Sequence, residues 1–343
     1  MQKYILLLNT CGLILFFHAV AAASEAEFKP SHWGQFTFEN DAFGVLEPTD
    51  DGYSNGVGYA WGDSAVQGFD DIDMPAWIRA ASGWSFINQG INGQYSISYA
   101  ILQGMFTPSD LDTEQLLIDD RPYAGVLLWQ AKLRQYDDNV ATSLALNLGV
   151  VGPASLAQQT QSMIHAVIDA RDPQGWDNQL ENEAVFRIES EYLHRFGHLA
   201  LTDNVATDVS FYSQAGLGNL STDAGFGLTF RIGSGLDETY ASINPTASHS
   251  ANPYAYMSDK DFNWMLFFSA YGGYVLNDIT LDGNTFKDSH SVELINEQGQ
   301  LSMGFAMRWG SWGILFSTLR GSDHFEGQIS DTNYGAASIS YHY

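Results

Sequence analysis

Cysteine occurs once in 343 residues, Lys and Arg number only 14 against 40 Asp and Glu, and charged residues make up just 16% of the chain. The shortage of basic side chains excludes nucleic acid as a partner, because phosphate binding is driven by clustered Lys and Arg that release counterions. The single cysteine is Cys11, inside a segment expected to be removed on export. Its loss excludes disulfides, thiolate metal sites and a cysteine nucleophile together. Beyond that segment no stretch approaches the roughly 18 to 20 uninterrupted apolar residues of a transmembrane helix, which excludes a helical membrane protein. A hydrophobic content of 45% excludes disorder.

The N-terminus reads as a secretory signal. Lys3 precedes an apolar run from Tyr4 to Val20, broken by Asn9, Thr10 and His18, and the small residues Ala21, Ala22 and Ala23 follow. A charge, an apolar stretch and a small-residue exit define such a leader. The expected organisation is a signal peptide over 1–23 and one domain over 24–343.

What recurs in that domain is alternation with a period of two. Tyr95, Ile97, Tyr99 and Ile101 alternate with Ser96, Ser98 and Ala100; Leu144, Leu146, Leu148 and Val150 alternate with Ser143, Ala145, Asn147 and Gly149. These are strands with one apolar and one polar face. A soluble sandwich has the same period, so the period alone does not choose. Export, 33 glycines and aromatic residues near strand ends favour a barrel whose outer face meets lipid. Twelve strands are predicted, near 33–42, 53–62, 94–103, 123–135, 141–151, 181–195, 205–218, 221–233, 262–276, 298–309, 312–321 and 331–343. The expected fold is therefore an all-β, twelve-stranded antiparallel transmembrane β-barrel. With both termini periplasmic, 43–52, 104–122, 152–180 and 277–297 face outward, and the long segment 234–261 falls on the periplasmic side.

One outward connection has helical spacing. From Pro153 to Ala170, Leu156, Ile164, Val167 and Ile168 recur as on a helix, and Gly152-Pro153 suits its start. Gln158, Gln161, His165 and Asp169 fall on one polar stripe of it. A polar residue on a solvated loop helix is one reading of His165; a helix lying over a barrel has one face against the wall, which makes His165 a candidate base. Glu39-Asn40-Asp41 and Thr49-Asp50-Asp51-Gly52-Tyr53-Ser54-Asn55-Gly56 bring oxygen donors to adjacent strand tops, which suits a hard cation such as Ca²⁺ but is also ordinary turn chemistry.

Six motifs in order then resemble one family. Phe36-Thr-Phe-Glu-Asn-Asp-Ala-Phe, Asp51-Gly-Tyr-Ser-Asn-Gly, Asp120-Arg-Pro-Tyr-Ala-Gly, Gly152-Pro-Ala-Ser, Gly175-Trp-Asp-Asn-Gln-Leu and Leu281-Asp-Gly-Asn-Thr-Phe-Lys-Asp-Ser-His-Ser resemble the outer-membrane lipid A 3'-O-deacylases, the LpxR-like family. The resemblance implies hydrolysis of the 3'-linked acyloxyacyl chain of lipid A, with Ca²⁺ as oxyanion stabiliser and a histidine activating water. It places Asn40 and Asp41 at the metal, Ser54 beside them and His165 as base. Gln161, Trp176, Gln179 and Asn182 would support the helix. Where some relatives carry an acid beyond the helix, Asp169 is the substitute here, and Arg121 is the nearest cation to the basic position of the second outward loop, with a strand-top salt bridge as its other reading. The expected setting is a monomer in outer-membrane lipid with lipid A or lipopolysaccharide as substrate. An esterase or phospholipase acting on other acyl lipids, or a barrel without catalysis, are the other classes. Because lipid excludes charge, the acidic excess must gather in loops, turns and lumen, where a divalent cation would bridge it to a phosphorylated lipid.

Overall fold

The computed structural model describes residues 32–44, 52–83, 85–88, 93–168, 171–239, 262–329 and 332–343, apart from the side chains of 42, 52–54, 167, 168 and 238. The expected signal segment and most of 234–261 lie outside this set. Twelve strands form one closed antiparallel meander: β1 (His32–Asn40), β2 (Gly52–Asp63), β3 (Gln94–Thr107), β4 (Ala124–Tyr136), β5 (Val140–Val151), β6 (Glu183–Ala200), β7 (Ala206–Leu217), β8 (Ser221–Gly233), β9 (Asn263–Asp278), β10 (Glu297–Trp309), β11 (Trp312–Gly321) and β12 (Asn333–His342). Each strand pairs with its sequence neighbour, and β1 pairs with β12 from Trp33↔His342 to Asn40↔Gly335, so no edge remains. Closure satisfies every ladder hydrogen bond internally, the condition for crossing hydrocarbon. All twelve sequence-predicted strands are present, with β3 and β6 extending several residues further than the alternation indicates.

The two faces differ as a period of two requires. Phe36, Tyr59, Ile101, Leu148, Phe186, Ile188, Phe226, Leu228, Leu266, Phe268, Leu301 and Met303 are exposed on the outside. The inside holds the charge. Lys132 pairs with Glu191 at 2.5 Å, and Arg187 with Glu189 at 3.0 Å and with Asp223. Tyr212 donates to Glu191 at 2.9 Å. Arg231 meets Asp208 through Nε at 2.8 Å and also bonds Thr239 at 3.0 Å. Ionic pairs in a low-dielectric interior survive because each charge is matched and hydrogen-bonded.

The ends of the barrel are unequal. At the end holding the termini, β4–β5, β6–β7 and β10–β11 are joined by 137–139, 201–205 and 310–311; at the other, 108–123, 152–182, 279–296 and 322–332 are longer, while β7–β8 is joined by the short 218–220. Short periplasmic turns and long outer loops are the pattern of outer-membrane barrels. The described start of 234–261 does lie at the terminus end. Leu236 enters the lumen there and packs on Met265, Ala306 and Leu315. A second long connection at that end, 64–93, is the gap between the second and third expected strands. It carries the helix α1 (Ala76–Ser82). On the outer side, α2 (Ala157–Ile168) follows a 3-10 turn over Pro153–Ser155, and the short α3 (Ile279–Asp282) drops Ile279 against Val126, Val151, Leu180 and Val185 in the lumen mouth.

The Arg231–Asp208 pair gives a direct test of the lumen. Both side chains are almost wholly buried, and Arg231→Met strands the carboxylate with only Arg195, 4.0 Å away. A loss of about 3–5 kcal/mol is expected, read as an earlier urea midpoint of the vesicle-embedded barrel, and Arg231→Met with Asp208→Leu is expected to recover most of it. Equal destabilisation of both variants would assign the cost to packing instead.

Candidate active site

The site is built on the outside of the wall, at the outer end of β1 to β4. Antiparallel register sets four residues in one row across these strands: Asn40 opposite Asn55, Asn55 opposite Met105, and Met105 opposite Gly125. Strands lie about 4.8 Å apart, so the row spans about 14 Å. A β-bulge falls between Tyr53 and Asn55, making Ser54 the extra residue. Such bulges re-aim side chains beside active sites. The side chain of Ser54 itself is outside the described set.

Gly125 explains why a helix can dock here. A Cβ at this position would lie 2.2 Å from Ser155 Oγ and 2.3 Å from the Ala157 Cβ, so only a missing side chain lets the turn and the start of α2 reach the backbone of the wall. Gln103, outward-facing and buried, donates from Nε2 to the Ser155 carbonyl at 2.5 Å. Met105, Tyr123, Ala157 and Trp176 close around the joint as one apolar cluster. Between the turn and the helix, Leu156 takes a left-handed backbone at φ 60°, a conformation costly for a residue with a Cβ. The helix foreseen from Pro153 is thus broken at Leu156 and starts again at Ala157.

On α2 the face toward the wall is Ala157, Gln161 and His165, at successive steps of four, while Gln158 is exposed. Gln161 is fully buried and accepts from Trp176 Nε1 at 2.8 Å. Its own Nε2 has no hydrogen-bond partner among the described residues. His165 is 8% exposed, and its Nδ1 lies 2.5 Å from the backbone carbonyl of Arg171. A carbonyl only accepts, so Nδ1 carries the proton and Nε2 the lone pair. Imidazole is thereby held as the tautomer that can take a proton at Nε2. Asp169, the foreseen orienting acid, lies outside the described residues, and the position at Nδ1 is filled by the Arg171 carbonyl.

The segment that supplies this carbonyl is tied down at several points. Arg171 pairs with Asp112 at 2.8 Å, Gln174 N donates to Leu111 O at 2.9 Å, and Asn178 Nδ2 donates to Glu114 O at 2.9 Å. Asn182 accepts from Ala154 N at 2.6 Å, below α2. Trp176 stands 5.1 Å from Tyr123 between ring centroids, and burial pushes the Tyr123 phenol up to about 12, so it remains neutral. Gln179 donates to the Trp176 carbonyl at 3.0 Å: it closes the turn under Trp176 rather than touching α2.

Arg121 is not brought to this site. Its guanidinium sits 4.8 Å from the ring of Phe106, which faces the lumen, and bonds Thr280 at 3.2 Å. Burial lowers its pKa to about 10, with Asp278 and Asp120 acting in the opposite direction. The arginine is therefore a lumen-mouth cation on the other side of the wall from His165. The strand-top salt bridge is not its role either, since Asp120 accepts from Ser109 and from the Arg121 backbone N–H.

The candidate cation ligands stand at the far end of the row. Asn40 donates through Nδ2 to Asn55 Oδ1 at 2.8 Å, and an amide oxygen is a donor type suited to a hard cation. Asp41 is buried beside it. A carboxylate with an amide oxygen fits a hard cation in donor type. The described residues hold no group of three or more His, Cys, Asp or Glu placed for a metal, so most of the six to eight oxygens Ca²⁺ takes would be backbone carbonyls, water or substrate. Sequence reasoning named Asn55 only within a run of oxygen donors, without a role of its own, and missed Gln103 and Gly125. Two of these stood inside quoted motifs, whereas Gln103 looked like one polar residue in an apolar strand.

A closed twelve-stranded barrel with a buried histidine docked on its lipid side is an outer-membrane protein built to act on lipid. The family model described as outer membrane protein LpxR matches residues 7–343, and the chain belongs to that family. Membership places it in the bacterial outer membrane, in the class of lipid A-modifying enzymes. Among solved structures, LpxR from Salmonella typhimurium is similar with a TM-score of 0.75 and 16% identity, over 91% of this chain and 100% of that one. The KdgM porin (TM-score 0.36, 7% identity, 91% and 99% covered) and the beta domain of the Bordetella autotransporter BrkA (0.39, 8%, 92% and 100%) are more distant barrels. No curated protein sequence matches the chain.

Gly125→Val tests the docking. The barrel is expected to remain folded, seen as an unchanged heat-dependent shift on gels, while 157–168 becomes sensitive to protease. Cleavage at the wild-type rate would show that α2 is held by something other than this contact.

Proposed function

We propose that the protein hydrolyses the 3'-O-linked acyloxyacyl ester of lipid A in the outer leaflet, with His165 as general base. The observation that carries this reading is the Nδ1–H bond from His165 to the Arg171 carbonyl, on a helix pressed against the lipid-facing wall. Histidine takes protons near neutral pH without special tuning. A water that loses its proton to Nε2 attacks the ester carbonyl carbon; the bond from that carbon to the sugar oxygen then breaks, and the proton passes to the departing alkoxide. The products are a free acyloxyacyl carboxylic acid and a 3'-hydroxyl. Gln161 fixes the helix through Trp176 and offers an N–H for a substrate oxygen.

Asn40 and Asp41 would hold Ca²⁺, with Ser54 next to them on the bulged strand. When bound there, the cation supplies positive charge to the ester oxygen as negative charge develops on it. The other donors proposed from sequence divide between roles: Gln179 braces the Trp176 turn, and Arg121 serves the lumen mouth.

The test is mass spectrometry of lipid A incubated with purified protein and Ca²⁺. The 3' acyloxyacyl group is expected to be lost, and EDTA or His165→Ala to abolish the loss, with a drop of at least about 10²-fold for removal of a general base. Full activity of His165→Ala would overturn the base assignment. Intact lipid A with deacylated phospholipid would make the protein an esterase of other acyl lipids.

A further inference from the structure

The wall that carries α2 is covered on its outside at both ends. At the outer end α2 and its preceding turn cover Gln103 and Met105 of β3, and Thr107 beyond them is also buried. At the terminus end the connection after β2 folds back over the same strand. Phe69, Ile72, Met74, Ile78 and Ile87 pack on the outward residues Tyr95 and Ile97 of β3 and Ala131 and Leu133 of β4. Between the two covers only Tyr99, half-buried, and Ile101, 49% exposed, still face outward on β3. From Tyr99 to Ile101 is about 7 Å of strand. On β8 the outward face runs unobstructed from Ala224 through Phe226, Leu228 and Phe230 to Ile232, about 27 Å before tilt and close to a full apolar band.

We propose that the segment carrying α1 is a lipid-surface module: it lies in the headgroup region of the periplasmic leaflet and, together with α2, narrows the lipid-facing band of β3 and β4, so the bilayer is thinned against the wall that carries His165. Two features commit this surface to lipid. An unbroken run of rings joins it to the lipid-facing wall, Tyr59 to Trp61 at 5.7 Å, Trp61 to Tyr99 at 5.8 Å, Tyr99 to Trp129 at 6.2 Å and Trp129 to Trp77 of α1 at 6.0 Å. Trp and Tyr rings are the side chains that settle at the membrane–water boundary. Trp77 and Phe86 remain 53% and 43% exposed at the end of this run. Beside them Asp70, Asp71 and Asp73 are exposed, and carboxylates do not enter hydrocarbon. The boundary must therefore fall between these acids and Ile101, well above its level on β8. The acids also set the kind of surface, a neutral or zwitterionic headgroup layer rather than an anionic one.

A band too short for the bilayer is accommodated by local thinning. Lipids beside such a band tilt and splay, which carries their ester region toward α2. The inference concerns how lipid reaches this wall and does not depend on which ester is cut.

The test places single nitroxide labels at Trp77→Cys, Phe86→Cys, Ile101→Cys and Leu228→Cys in the leaderless chain, whose only cysteine, Cys11, is absent. Full-length barrels in phosphatidylcholine vesicles are read by power-saturation EPR with oxygen and a water-soluble nickel chelate. Labels at 77 and 86 are expected at headgroup depth, and the label at 101 nearer the surface than the label at 228. The proposal is overturned if 77 and 86 meet the nickel reagent as freely as bulk water, if 101 and 228 are equally deep, or if labels at 77 broaden one another as they would against a second copy of the chain.

Discussion

In hydrocarbon a strand can leave no backbone group unpaired, so twelve strands must close, and closure forces a choice of which face of each strand meets lipid. The rest of the molecule is arranged around that choice. Charge retreats to the lumen, where Lys132, Glu191, Arg187 and Asp223 neutralise one another. Function is then carried on the face that appears least equipped for it. The outer wall is apolar over most of its height, and at its upper end near α2 it carries Asn40, Asn55 and Gln103.

Docking a helix on a barrel wall requires the wall to give way, and one glycine does so. With Gly125 bare, Ser155 and Ala157 approach the backbone of β4, and Gln161 and His165 follow one and two turns later. At Nδ1 the histidine is then oriented by the Arg171 carbonyl. A carbonyl fixes the tautomer as well as an acid does, without a second charge in a low-dielectric contact between protein and lipid.

Much of this was legible in the sequence, and the physical reason is periodicity. Twelve strands were readable because a one-residue slip would turn Phe226 and Leu228 inward and Arg231 outward, so the alternation cannot drift. The helix that carries His165 was readable because helical spacing interrupts that alternation. The connection bearing α1 was not, since Phe69, Ile72, Met74 and Ile78 follow no single period and gain meaning only from the wall they cover. The Arg171 carbonyl was invisible for a deeper reason: every residue has one. Arg121 misled because sequence order places it near the strand tops, while only the structure assigns it to the inner side of the wall.

The central claim is that substrate meets this protein on the outside of the barrel rather than through its lumen. Photo-crosslinking decides it, with benzoylphenylalanine placed at Met163, exposed on α2, and at Gln130, which faces the lumen and bonds Asn147 at 2.8 Å. In vesicles containing lipid A, the account predicts lipid A adducts from position 163 and none from position 130. Adducts from 130 with none from 163 would contradict it.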